Sequence, residues 1–444
     1  MRTRTTVAIL TSAAALGALL IARPQGATGD GGPAPSADSP LVVHEWGTFT
    51  SLSGSDGVGL EGLGHEEEGL PSFVYSRAKV RECPLRAYGY KGLEVPADHV
   101  TQKMETPVLY FHTKAARRAR VRVDFVRGLI SQWYPVSDLL GPPETAAAAG
   151  PLDVSKIDRS FLQWDVDLIP KGADAGLYLP AVATDDPWAF ARNVDAAAVR
   201  TVPRQAPERM GPTESERFLF YRGLGAFTLP IDVKAERGGT CWFANDGKET
   251  VPFAFSLRVF EKGGAAYRDL GAVEGLHGVD ATLDPAVGDD AEKVAGRLKT
   301  AVASALVAQG LFADEAKAMV ETWSRQWFLS EGTRIVYGVP RAWTDSILPL
   351  QIDPKPDSLV RLLVGRLEYL TPEHEASVHR ALTLRMSKDA AERAAGETIL
   401  SHLGRFLEPN MRRILAMSPD ADVKKGAEQV LAALLSEQTH PAAK

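Results

Sequence analysis

Leu41-Val42-Val43-His44-Glu45-Trp46-Gly47-Thr48-Phe49-Thr50 combines β-branched, aliphatic and aromatic side chains with two ionisable ones. That composition predicts a strand. Side chains alternate across a strand, so His44, Trp46, Thr48 and Thr50 share one face, and Val43, Glu45, Gly47 and Phe49 the other. Adjacent His44 and Glu45 then point opposite ways and cannot act as a pair on one metal or substrate without a bulge. Glu45 falls on an otherwise apolar face, where a bare carboxylate is costly unless a cation pairs with it. Arg222, in what reads as a tight Tyr221-Arg222-Gly223-Leu224-Gly225 turn, is one candidate partner. Two readings follow. In one, Glu45 and an arginine form a buried bridge that fixes the strand. In the other, Glu45, His44 and Arg222 are catalytic candidates, with Glu45 a general base or metal ligand near His44, His65 or His112.

Upstream of this strand, Arg2 and Arg4 precede an apolar run from Val7 to Ile21. That layout predicts a secretory signal peptide over residues 1–22. The run falls short of the roughly 20 residues that span a bilayer comfortably. Residues 23–40 are rich in glycine and proline and poor in large apolar side chains, which predicts a disordered linker. No second apolar run of spanning length follows, so the mature chain is expected to be soluble, without a membrane span, and periplasmic or extracellular. In such an oxidising compartment the two cysteines, Cys83 and Cys241, could pair.

The 444 residues are 45% hydrophobic and 24% charged, with a formal net charge of −6. This is ordinary globular composition. The densest basic group, Arg117, Arg118, Arg120 and Arg122, runs into a predicted strand and is too small to suggest a nucleic-acid partner.

Short strands dominate residues 41–260. Val108–Phe111, Val121–Phe125 and Phe218–Tyr221 are examples, and Cys241–Ala244 with Val251–Phe260 reads as a hairpin. Asp186 and Pro187 predict a short helix start. Helical spacing takes over at about 289–328 as an inserted pair, after which Thr333–Val339 returns to strand composition. Beyond Pro354 the pattern is mainly helical; Leu359–Leu370 fits either helix or strand. The predicted fold class is therefore α+β. A β-sandwich-like antiparallel body over 41–352 carries the helical insertion, and 353–444 forms a C-terminal, mainly helical region.

Three near-motifs lack their context. Gly57-Val58-Gly59-Leu60-Glu61-Gly62 matches a dinucleotide fingerprint literally, but Gly64 and Pro71 break the helix it requires. His374 and His379 are five apart, about 140° around a helix, so one ion cannot take both; they read as surface histidines. Gly54-Ser55-Asp56-Gly57 is not a nucleophile elbow. The acidic loop Asp56–Glu68 lacks the EF-hand order and reads as mobile. With His112 it supplies the metal candidates: Asp56, His65, Glu66 and His112. No organic cofactor is predicted; a divalent metal is the one ligand these residues could hold.

His44–Thr50, Lys103–Phe111, Arg122–Phe125, Gly128–Ile130, Trp133–Pro135, Phe220–Gly225 and Pro340–Asp345, taken together, resemble a family of exported bacterial proteins marked by the His-Glu-Trp-Gly-Thr-Phe-Thr motif. The resemblance implies that Val43 to Leu350 is one unit. It implies no activity, cofactor or catalytic residue. The expected function is a binding or assembly component of the cell envelope, its partner an envelope protein or polymer. The alternative is a hydrolase, with or without a metal, acting on an envelope or extracellular polymer.

Overall fold

The computed structural model describes residues 39–64, 69–77, 90–91, 97–142, 152–202, 213–260, 263–283 and 288–439. The predicted signal peptide, most of the linker, His65, Glu66 and Cys83 lie outside them. The elements that position the sites are strands β1 (Val42–Ser53), β2 (Gln102–His112), β3 (Arg117–Val126), β4 (Gly128–Tyr134) and β5 (Arg159–Ile169), then the short helix α1 (Pro187–Arg192). Strands β6 (Leu219–Gly225), β7 (Cys241–Asn245), β8 (Val251–Val259) and β9 (Gly264–Val273) follow. The inserted pair is α2 (Ala291–Ala308) and α3 (Ala313–Ser324), succeeded by β10 (Gly332–Val339), α4 (Arg341–Ile347) and β11 (Ser358–Tyr369). Four helices close the chain: α5 (Pro372–Arg385), α6 (Ala390–Ser401), α7 (Leu407–Met417) and α8 (Ala421–Thr439).

The fold is α+β and sandwich-like. An eleven-stranded sheet runs through β9-β8-β10-β11-β1-β2-β6-β4, with short strands at both ends. A second sheet, centred on β3 and β5, shares its core: Val121, Phe125, Leu162 and Trp164 pack in one cluster with Ile130 and Trp133 of β4. Trp46, Trp133, Trp164 and Trp327 are among the largest fully buried side chains. Each removes some 150–250 Å² from water, a transfer contribution of about 4–6 kcal/mol. No helix among the described residues is long and apolar enough to cross a membrane.

β1 lies in the middle of the large sheet, antiparallel to β2 and parallel to β11. The ambiguous segment Leu359–Leu370 is therefore a strand. It also moves the expected boundary: the main sheet does not end at 352 but continues through Tyr369. The inserted pair is confirmed, because β10 re-enters the sheet between β8 and β11 after α2 and α3. Asp186 caps α1 by accepting from the Trp188 amide at 2.8 Å, and the Thr371 hydroxyl accepts from the His374 amide at 3.2 Å to start α5.

Two local expectations fail. β7 and β8 do not form a hairpin but belong to different sheets. The Asn245 side chain bonds the carbonyls of Glu249, Val273 and Glu274, and so carries the chain from one layer to the next. Arg222 to Gly225 is not a turn; it lies inside β6, which bulges there. Gly223 and Gly225 serve close packing instead, since a Cβ would lie 2.8 Å and 3.2 Å from the Phe125 ring.

The C-terminal helices keep their own small core around Val378, Leu382, Met411 and Val423. They meet the sheet through Phe406, packed with Leu52 and Leu224, and through Arg405, which donates to Glu105 at 3.1 Å.

Candidate functional site

Alternation along β1 places its two ionisable neighbours in separate settings. Register puts Glu45 beside Arg361 on β11 and Leu109 on β2, with His44 beside Tyr110. On the Glu45 face, the Tyr221 hydroxyl donates to Oε1 at 2.5 Å and Arg361 Nε donates to Oε2 at 2.5 Å. A terminal Arg361 nitrogen donates to Asp345 on α4 at 2.8 Å. Glu45 is fully buried and Arg361 nearly so. Burial alone would lower the Arg361 pKa, but the Glu45 charge overrides it and holds the guanidinium above its usual range. Burial, and then the same Glu45 charge, keeps the Tyr221 phenol protonated. Both carboxylate oxygens are thus engaged and buried. The bridge reading holds with Arg361 as partner in place of Arg222.

The opposite face carries a different carboxylate. Glu315, in the first turn of α3, takes His44 Nδ1 at 2.6 Å on Oε2 and His112 Nε2 at 3.1 Å on Oε1. The Phe312 amide also donates to Oε2, at 2.8 Å. The Phe312 ring covers both imidazoles, with centroids 4.5 Å from His44 and 4.8 Å from His112. Burial would raise the Glu315 pKa, but the bonds from His112 and His44 outweigh it and hold the carboxyl below its ordinary value. Ligand atoms of His44, His112 and Glu315 lie within 4.8 Å of one another. Two of these residues were sequence candidates. Glu315 was missed because an acid in a helix's first turn already has a reason to be there.

Further along the same face, β1, β2 and β6 form the floor, and α1 and α3 the roof, of a chamber of about 90 Å³. Its walls are mainly aromatic and apolar, with Trp46, Trp188, Trp323, Phe218 and Phe220, and Asp186 and Thr322 join them from the helix side. Arg222 and Thr106 are the polar members on the floor strands. The indole N–H groups of Trp46 and Trp323 and the hydroxyl of Thr106 make no hydrogen bond among the described residues. Thr106 sits at φ 47°, in the left-handed region that β-branched residues avoid. It marks the point where β2 carries one residue more than β1, between the pairs Trp46–Val108 and Thr48–Glu105. Gly47 is required opposite this bulge, as a Cβ there would lie 2.7 Å from the Pro107 Cα.

Beyond the chamber, Thr50 donates to Glu105 at 2.8 Å, and Glu368 takes Arg334 at 2.7 Å and Arg366 at 2.6 Å. Burial would raise the Glu105 pKa, but the charges of Arg405, Lys103 and Arg222 pull it down to about 2.

The remaining candidates do not converge. Asp56 is exposed and pairs with Arg413 at 3.1 Å, while His65 and Glu66 lie outside the described residues. His374 and His379 are both half-buried; burial lowers the His374 pKa and it lines a cleft with Asn410, and His379 lies 3.5 Å from Ser418. Cys241 is buried, its thiol pushed up to about 11. The literal glycine fingerprint is a loop and short bridge, with no helix after it among the described residues.

No family model and no curated protein matches the chain. Among solved structures, the yeast delta-COP-I mu-homology domain aligns with 76% of this chain and 98% of its own, at 6% identity and a TM-score of 0.23. A likeness that low carries no argument about fold or function.

Proposed function

We propose that this chain is an exported binding component of the cell envelope that receives a carboxylate-bearing group in the chamber beneath α1 and α3. One observation carries the reading: Trp46, Trp323 and Thr106, whose indole N–H groups and hydroxyl make no hydrogen bond among the described residues, all line this chamber together with Arg222 and Asp186. Buried donors are almost always hydrogen-bonded, so this set calls for an acceptor. Arg222, whose charge also acts on Glu105, adds a positive group to the floor and favours an anionic acceptor over a neutral one. The small volume admits a few heavy atoms, either a small acid or the acidic tip of a larger envelope partner. The strained Thr106 supports the reading, since residues held in disfavoured backbone regions cluster at ligand sites. Export rests on the layout of residues 1–22.

The test is thermal melting and tryptophan fluorescence of the full mature chain with acetate, isobutyrate and benzoate. At least one acid should raise the melting temperature. Trp323→Phe keeps an aromatic side chain but loses the N–H with the pyrrole ring that carries it, so it should weaken that acid about tenfold or more, the usual worth of a hydrogen bond to a charged group. If no acid shifts melting at millimolar concentration, or Trp323→Phe binds as tightly as wild type, the reading fails.

A second reading, a metal-dependent hydrolase acting on an envelope or extracellular polymer, is favoured by one observation: the convergence of His44, His112 and Glu315.

A further inference from the structure

We propose that His44, His112 and Glu315 bind one divalent transition-metal ion of the zinc type, clamping the start of α3 onto β1 and β2. His112 stands between two acceptors. Its Nδ1 lies 3.1 Å from the Asp195 carbonyl oxygen, and its Nε2 lies 3.1 Å from a Glu315 carboxylate oxygen. The proposed ion would stand between Nε2 and the carboxylate, leaving Nδ1–H for the carbonyl. A backbone carbonyl on one ring nitrogen, with the other nitrogen turned towards an anionic ligand, is the arrangement that orients metal-binding histidines.

The spacing is close to what one ion needs. Zinc holds imidazole nitrogen and carboxylate oxygen at about 2.0–2.2 Å, so tetrahedral ligand atoms stand roughly 3.3 Å apart. His112 Nε2 and Glu315 Oε1 are already at 3.1 Å, while His44 Nδ1 and Glu315 Oε2, at 2.6 Å, must part by about 0.7 Å. The three ligand atoms lie within 4.8 Å of one another, so binding draws the widest pair together by up to about 1.5 Å. Glu315 is held by the Phe312 amide, and Asp314 beside it is held by the Asp195 amide at 2.8 Å. These two carboxylates offset the partial positive charge of the helix start, which alone would repel a cation. Two imidazoles select a zinc-like ion over calcium or magnesium, which prefer all-oxygen sites. Among the described residues no fourth side-chain ligand joins the cluster; the His112 side chain is 14% exposed, while His44 and Glu315 are buried. The site is distinct from the carboxylate chamber further along α3.

The experiment is calorimetric titration of chelator-stripped mature protein with Zn²⁺ and, separately, Ca²⁺, together with absorption of the Co²⁺ form. Wild type should take up one Zn²⁺ per chain, raise its melting temperature and ignore Ca²⁺; Co²⁺ should give tetrahedral visible bands. His112→Gln and Glu315→Gln should each lower zinc affinity at least tenfold. Circular dichroism of both variants without metal checks the fold, and His112→Gln, at a partly exposed position, is the variant expected to fold. No zinc uptake by wild type overturns the proposal. So does zinc uptake that a folded His112→Gln retains at full affinity, because the ion would then sit elsewhere. Neither outcome bears on acid binding in the chamber.

Discussion

Glu45 and Glu315 are both buried carboxylates gripped by residues around the same two positions of β1, yet they are held by different chemistry. Glu45 is closed by a guanidinium and a phenol, groups that stay protonated at any ordinary pH. Glu315 is closed by two imidazoles, side chains of a type that can also serve as metal ligands. One step along β1 thus separates a bridge to a guanidinium from a bridge to two imidazoles.

The largest effect should come from opening the guanidinium bridge. Arg361→Ala leaves Glu45 charged and fully buried, which costs about 3–5 kcal/mol. Urea unfolding of the mature chain measures it as a fall in midpoint. Glu45→Leu combined with Arg361→Met should recover most of the loss, because an apolar pair of similar volume removes the stranded charge. A loss below about 1 kcal/mol for Arg361→Ala would show that water reaches Glu45, and the contrast between the two carboxylates would collapse.

Glu105 extends the guanidinium-held class to the junction with the C-terminal helices, and it makes the contrast visible in pH. Its pKa of about 2 in the folded protein lies below the ordinary 4.5. A depressed carboxyl stabilises the fold above the unfolded value and loses that contribution as pH falls through the folded one. Stability should therefore drop by roughly 3 kcal/mol between about pH 4.5 and 2 on account of this group. Glu105→Gln should flatten that part of the acid profile, measured as melting temperature against pH. An unchanged acid slope would move the titration to other groups.

Opening the imidazole bridge should cost less. His112→Gln without metal leaves Glu315 its bonds from His44 and the Phe312 amide. The expected loss is about 1–2 kcal/mol, the worth of one hydrogen bond to a charged group. A loss matching that of Arg361→Ala would make Glu315 as structural as Glu45.

How much of this was legible in the sequence follows from the distances involved. Strand period alone split His44 from Glu45 and called for a cation, because alternation is a local property of ten residues. The identity of that cation was not legible. Arg361 is 316 positions away in a segment whose apolar run, Leu362-Leu363-Val364, fits a buried helix as well as a central strand. Arg222 was chosen on a misread pair of glycines, which are present for the Phe125 ring and not for a turn. His44 and His112 were both candidates, since imidazoles are scarce and conspicuous. Glu315 was hidden by its own helix-starting role, one side chain filling two functions. The chamber has no sequence signature at all: it is a property of how α1 and α3 lie over three strands.

The smallest effect tests where the guanidinium bridge ends. Asp345 accepts from Arg361 at 2.8 Å, but its side chain is 46% exposed and it also pairs with Arg341. Solvent screens such a carboxylate, so Asp345→Asn should cost no more than about 1 kcal/mol. The amide oxygen can still accept from Arg361, and Glu45 continues to neutralise the guanidinium. Urea midpoints at low and high salt separate the two contributions. Added salt should erase whatever difference Asp345→Asn makes and leave the Arg361→Ala loss nearly intact, because the Glu45 pair lies out of reach of mobile ions. If salt instead reduced both losses alike, the Glu45 side of β1 would be open to solvent.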